Sequence, residues 1–291
     1  MFDPDQYELI DFGENENGLG EKLECFGGSL VVRPSPAATG FRRELKKIWS
    51  ETKIRFDCST SSTREKEIWV PPDRFPEPWE VQHKDISLQI RPTPFSHLGI
   101  FPEQQSNWDW IAEKISRADR PLRILNLFAY TGGTTLIAAA AGAEVVHIDS
   151  AKNVVQWARE NAMISGMKDH PIRWIVEDCQ LFCERERRRG NRYDGIILDP
   201  PSFGHGPKGE VWKVEKDLIR LLRNCRAILT EKAEFMVLTC HSPGYGPAEL
   251  QATFCDAVLG SCSTRVMAEP LCIYSKKGRA LNAGNVVRWS R

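Results

Sequence analysis

The chain has 291 residues, 41% hydrophobic and 27% charged, the profile of a soluble globular protein able to bury a large core. Lysine plus arginine equals aspartate plus glutamate at 39 each, and this zero net charge disfavours a protein that coats nucleic acid non-specifically. No apolar run approaches the roughly 20 residues that cross a bilayer, and Met1-Phe2-Asp3-Pro4-Asp5 lacks a signal peptide's basic-then-apolar order, so a cytoplasmic location is expected.

Residues 1–95 are rich in Pro, Gly and Trp and contain short β-like runs at 28–33, 67–70 and 86–90. A short helix is predicted over 41–49, and Pro71-Pro72 and Pro76-Glu77-Pro78 punctuate the segment. A small β-rich α+β module is expected here, with a second domain over 96–291. In that second domain short apolar runs alternate with helical patterns. Strands are predicted over 123–128, 144–148, 172–176, 193–198 and 234–239. Helices are predicted over 134–141, 152–165, 180–189 and 215–229. Such alternation means βαβ crossovers and a mostly parallel sheet. An antiparallel hairpin over 265–268 and 285–289 closes the chain.

Nine cysteines form no C-x-x-C pair, and an odd number without an export signal reads as reduced thiols. Cys179 and Cys183 share a helix face, yet no nearby His completes a zinc site, so no metal is expected. The run Arg185, Arg187, Arg188, Arg189 and Arg192 reads as a solvated helix end rather than a nucleic-acid patch. His83, His97, His147, His170 and His205 read as structural or surface groups.

Ligands of parallel sheets sit at the C-terminal ends of the strands, and here every predicted strand ends in reactive or special residues. Asn126-Leu127-Phe128-Ala129-Tyr130-Thr131-Gly132-Gly133 turns a strand into a helix. Its glycines allow unusual φ/ψ and a close ligand approach. It lacks the G-x-G-x-x-G spacing of a dinucleotide site. The bland alternative is an ordinary turn. Asp149 either accepts from a ribose 2′,3′-diol or caps the next helix, a task Ser150 can share. Asp178, followed by Cys179, either accepts from an adenine exocyclic amine or caps the helix that follows.

Asp199-Pro200-Pro201-Ser202-Phe203-Gly204 is the most informative string, because two prolines stop strand pairing and stiffen the loop. Phe203 either stacks on an extruded base or packs inward beside a rigid turn. Val237-Leu238-Thr239-Cys240-His241-Ser242 follows the fifth strand. Cys240, at the substrate end of the sheet, is either a thiolate nucleophile or a buried packing residue. Asp199, at the same end, is placed to hydrogen-bond a substrate nitrogen.

The order N-x-F-x-Y-T-G-G, Asp149, Asp178 and D-P-P-S-F resembles class I S-adenosylmethionine methyltransferases. More closely it resembles the bacterial 23S ribosomal RNA methyltransferases that modify cytosine C5 or guanine N7. The likeness runs over roughly residues 5–245 and includes Tyr7-Glu8-Leu9-Ile10-Asp11 and Glu21-Lys22-Leu23-Glu24-Cys25-Phe26-Gly27. Gly99-Ile100-Phe101-Pro102-Glu103-Gln104 is similar to a G-x-F-x-x-Q segment that closes over the methionine end of the cofactor, which would add Phe101 and Gln104 to the site. The resemblance implies a Rossmann-like α/β fold, with a mostly parallel seven-stranded sheet and helices on both faces, after a small module. It implies S-adenosylmethionine held by Phe101, Gln104, Asn126, Phe128, Tyr130, Thr131, Gly132, Gly133, Asp149, Ser150, Asp178, Cys179, Asp199 and Pro200. Pro201 and Phe203 would contact the substrate, with Asp199 and Cys240 catalytic. The family's cytosine enzymes carry Ser-Cys-Ser around the thiol, where this chain has His241 instead of the second Ser, and a PUA-type module ahead of the β-rich one, for which this sequence starts too late. Methylation of a ribosomal RNA base, at cytosine C5 through Cys240, is the leading expectation. The alternatives are a methyltransferase acting on a small molecule or protein, and a non-catalytic S-adenosylmethionine-binding module.

Overall fold

The computed structural model describes residues 2–57, 68–71, 75–261 and 263–291; Cys58, Glu67, Pro72 and Cys262 lie outside them. The chain divides into two compact units, Met1–Gln105 with Cys272–Ala283, and Ser106–Leu271 with Gly284–Arg291. The first therefore continues past residue 95 and takes in the turn of a C-terminal hairpin.

In the first unit β1 (Tyr7–Glu14), β2 (Gly20–Phe26), β3 (Ser29–Pro34), β4 (Ile54–Asp57) and β5 (Ile68–Val70) form one sheet in chain order. Only β3 and β4 run parallel, and a parallel pair requires a crossover, which carries α1 (Lys46–Glu51). That helix begins later than the 41–49 pattern predicts. The Asp11 carboxylate accepts from the N–H groups of Glu44 (2.8 Å) and Leu45 (3.0 Å) and from the Trp49 indole (2.8 Å), holding the chain before Lys46 out of helical geometry. Leu23, Val32 and Trp49 pack beneath this sheet. A separate antiparallel hairpin of β6 (Glu80–His83) and β7 (Ile86–Gln89) also belongs to this unit.

The second unit is built on a seven-stranded sheet. Across it lie β10 (Ile172–Val176), β9 (Glu144–Asp149), β8 (Arg123–Leu127), β11 (Gly195–Leu198), β14 (Phe235–Cys240), β16 (Ala280–Ser290) and β15 (Val266–Tyr274). The first five run parallel, and β16 is antiparallel to β14 with Met236 opposite Trp289. Buried on both faces, β11 and β14 read as continuous apolar runs. The helices are α2 (Gln105–Ser116), α3 (Gly133–Ala140), α4 (Lys152–Ile164), α5 (Cys179–Arg189), α6 (Val214–Ile228) and α7 (Pro247–Phe254). The mostly parallel sheet expected from the sequence is present. Strand order reverses between β8 and β11, which opens the crevice where such sheets bind ligands.

The closing hairpin is much longer than predicted. Asn282, Asn285 and Arg288 interrupt the apolar pattern of β16, and Pro270 interrupts that of β15. Pro270 is tolerated because β15 is the outermost strand. The arginine run belongs to the last turn of α5, where Arg187, Arg188 and Arg189 face the negative end of the helix dipole before the left-handed Gly190 cap. Arg185 instead pairs with Glu177. Cys179 and Cys183 are buried free thiols on α5. No helix among the described residues is long and apolar enough to cross a membrane. Nor does any group of three His, Cys, Asp or Glu among them stand together to hold a metal ion.

Candidate functional site

The turn after β8 is left-handed at three alternate positions, Phe128 (φ 55°), Tyr130 (φ 49°) and Gly132 (φ 88°). For a residue with a Cβ this backbone costs on the order of 1–2 kcal/mol, so it persists only where neighbours enforce it. The Phe128 N–H donates to the Cys179 sulfur at 3.3 Å, and its ring lies 5.0 Å from that of Trp212. The Tyr130 N–H donates to Asp149 Oδ2 at 2.9 Å. From below, Asn126 Nδ2 donates to the Thr135 hydroxyl (2.9 Å), which contacts His147 Nδ1 at 2.9 Å, and Asn161 Nδ2 donates to the Thr131 carbonyl (2.9 Å). Asn126 and Thr131 thus frame the turn from inside the core.

Burial, helped by the Arg159 charge, lowers His147 to about 3, so its imidazole is neutral in the folded protein. An unfolded histidine takes up its proton near pH 6.5. The stability of the neutral form is therefore fully present above pH 6.5 and lost as pH falls toward 3, at up to about 1.4 kcal/mol per pH unit. Urea midpoints at pH 7 and pH 5 should differ less in His147→Gln than in the parent; an unchanged difference would contradict this assignment.

The glycine pair has a packing role. An added Cβ at Gly132 would lie 3.0 Å from that of Ala158, and one at Gly133 would lie 2.8 Å from Cζ2 of Trp108 on α2. The Trp108 indole also donates to Thr134 Oγ1 at 2.9 Å. Gly133→Ala is expected to lower stability by about 1–3 kcal/mol through overpacking, read from thermal melts.

Asp149 ends β9 with both oxygens already engaged, Oδ2 by Tyr130 and Oδ1 by the Ala151 N–H at 3.0 Å. Burial raises its carboxyl, while the Ala151, Tyr130 and Ser150 N–H groups act the other way. A carboxylate oxygen has two lone pairs, so each retains an acceptor site after one backbone bond. That acceptor pair at a strand tip fits a ribose diol. Asp178 caps α5, accepting from the Leu181 N–H at 2.9 Å, and burial raises it too. Cys179 is buried, and burial pushes its thiol well up.

Across the switch point, Asp199 Oδ1 accepts from the Thr239 hydroxyl and faces His241 Nε2 at 3.1 Å. Both Asp199 and His241 side chains keep about a third of their surface, 29% and 33%. Pro200 is buried. The Pro201 carbonyl accepts from the Trp212 indole at 2.7 Å, and the Ser202 and Ser242 hydroxyls meet at 2.6 Å. Phe203 does not pack inward, being 53% exposed. Cys240 is fully buried in the core of the second unit, and burial raises its thiol, although the Ser242 N–H and hydroxyl favour the thiolate.

The second unit thus gathers, at successive strand ends, every sequence-predicted site residue except Phe101 and Gln104, which belong to the first unit. There Phe101 lies 5.2 Å ring to ring from His97, and Gln104 is buried in a short 3-10 turn, Pro102–Gln104. Two residues at the strand ends escaped the sequence reading. His241 was visible only as a substitution in a familiar string. Trp212 carried no signal, because its partners Phe128 and Pro201 lie far from it in sequence.

The family model described as S-adenosylmethionine-dependent methyltransferase matches residues 67–258. Ribosomal RNA large subunit methyltransferase K/L of Pseudoalteromonas atlantica is 31% identical over 159 residues, 54% of this chain and 22% of that protein. Ribosomal RNA large subunit methyltransferase I of Aeromonas salmonicida is 27% identical over 202 residues, 65% of this chain and 50% of that protein. The chain therefore spans half or less of the length of these curated relatives. A solved SAM-dependent methyltransferase from Agrobacterium tumefaciens is 37% identical, with a TM-score of 0.87 over 98% of this chain and 90% of that one.

Proposed function

The chain belongs to the S-adenosylmethionine-dependent methyltransferases, and from that premise we propose that it methylates a base of ribosomal RNA. The observation that carries this reading is that Asp149 ends β9 and the Asp199-Pro200-Pro201 corner ends β11 at the same edge of one parallel sheet, with an exposed Phe203 beside that corner. The cofactor supplies a methyl group activated on a sulfonium, and the protein supplies alignment and electrostatics. Asp149 accepts from the ribose diol, and Asp178, with its carboxylate raised by burial, accepts from the adenine amine. Phe128, Tyr130 and Gly132 hold the turn that walls the site, over a floor made by Gly133, Asn126, Thr131, Ser150 and Cys179. Phe101 and Gln104 are cofactor contacts on the sequence resemblance alone.

Asp199 accepts a proton-bearing edge of the base, held in place by Thr239 and His241 through Oδ1. Pro201 and Phe203 contact the base itself. A fully buried thiol is poorly placed to add to a pyrimidine, so the geometry favours a nitrogen acceptor that attacks through its own lone pair. The support that Ser242 gives to a Cys240 thiolate keeps the cytosine C5 route as the second reading. Cys240→Ser decides between them. Methyl transfer within about fivefold of the parent is expected, whereas a loss beyond about a hundredfold would establish the thiol as nucleophile.

Total RNA from a strain lacking the gene, incubated with the protein and methyl-labelled S-adenosylmethionine, should acquire label in one modified nucleoside. Label confined to protein or small molecules would overturn the RNA reading.

A further inference from the structure

Between β11 and α6 the chain makes an excursion into a two-stranded ribbon, β12 (Phe203–His205) and β13 (Val211–Lys213). Side chains alternate along a strand, so the ribbon has two distinct faces. One carries Trp212 opposite Gly204, and it is the anchored face. Trp212 is 6% exposed, rests on Phe128 and donates to the Pro201 carbonyl at 2.7 Å. The other carries Phe203 opposite Lys213 and His205 opposite Val211, and all four are exposed. On it, Lys213 Nζ stands 5.9 Å over the Phe203 ring and His205 meets that ring edge-on at 5.0 Å. The turn between the strands adds exposed Lys208, while the Glu210 carboxylate folds back to accept the Lys208 N–H at 2.8 Å.

An aromatic ring with a lysine amine over its face, on a ribbon bolted to the acceptor corner and carrying a second exposed lysine in its turn, is a recognisable chemistry. A single nucleic-acid strand offers open base faces for stacking and phosphates for amines, whereas a paired A-form helix keeps its base faces stacked. We propose that this ribbon grips an unpaired RNA strand at the target, Phe203 stacking on a base while Lys208 and Lys213 take phosphates. The inference rests on the RNA reading above and adds to it the form of RNA that is accepted.

The test uses the full-length protein and a fluorescein-labelled 12-nucleotide RNA, free or annealed to its complement, followed by anisotropy. The parent should bind the single strand at least about tenfold more tightly than the duplex. Phe203→Ala should lose about tenfold or more of single-strand affinity, and Phe203→Trp should retain it. Lys208→Ala combined with Lys213→Ala should flatten the slope of log affinity against log salt by about 1.4. Unchanged calorimetric binding of S-adenosylhomocysteine shows that each variant is folded. Equal affinity for both RNA forms, or a Phe203→Ala protein that binds like the parent, overturns the ribbon's role. If the parent still labels total RNA in that case, the proposed function stands without it. If it labels no RNA, both fall.

Discussion

Replacing Asp149 with Ala should weaken binding of S-adenosylhomocysteine by about two to four orders of magnitude, measured by titration calorimetry. Two hydrogen bonds to a charged acceptor are worth about 1.5–3 kcal/mol each. The same carboxylate also fixes the Tyr130 N–H at 2.9 Å, so its loss frees a turn whose backbone is held in an unfavourable region. Asp149→Asn should be nearly as damaging. Its amide nitrogen would have to face the N–H of either Tyr130 or Ala151, donor against donor. The demethylated ligand carries no sulfonium charge, so the measurement leaves out any attraction between the carboxylate and that charge. An affinity within threefold of the parent would remove Asp149 from the site.

Asp199→Asn should act on the other side of the crevice. A loss of about 10²–10⁴ in kcat is expected, with S-adenosylhomocysteine affinity changed by less than about tenfold. The substitution keeps the side chain's size but removes the charge that draws the Thr239 hydroxyl and His241 onto Oδ1. A variant with parental kcat and a raised KM would mean that Asp199 only binds the acceptor. One that loses both cofactor affinity and kcat would place it among the cofactor contacts.

Much of the second unit was legible because parallel strands buried on both faces, such as β11 and β14, announce themselves as apolar runs. The edge strand β10, with no buried residue, is nonetheless matched residue for residue by the predicted 172–176. The strand ends were legible for the same reason, since chemistry begins where each run stops. Dual roles were harder to read. Asp178 was weighed as a cap or an adenine acceptor, and the Leu181 N–H shows that it caps. Gly133 was read for ligand approach, yet Trp108 fills the space beside it, a neighbour 25 positions away that no local pattern specifies. Helix α2 was missed because its apolar positions, Trp108, Ile111 and Ile115, are diluted by Asn107, Asp109 and Lys114. Burial is likewise invisible in a string of letters. Cys240 stands where a nucleophile was expected, and only its surroundings reveal a thiol without solvent access.

The turn from Phe128 to Gly132 is tied to four different neighbours: the Cys179 sulfur, the Trp212 ring, the Asp149 carboxylate and the Asn161 amide. A segment so restrained has no second basin to relax into, so ligand capture should demand little reordering of the backbone. Selectivity at this wall would then come from refusing molecules of the wrong shape, since the protein has no slack with which to mould itself around them.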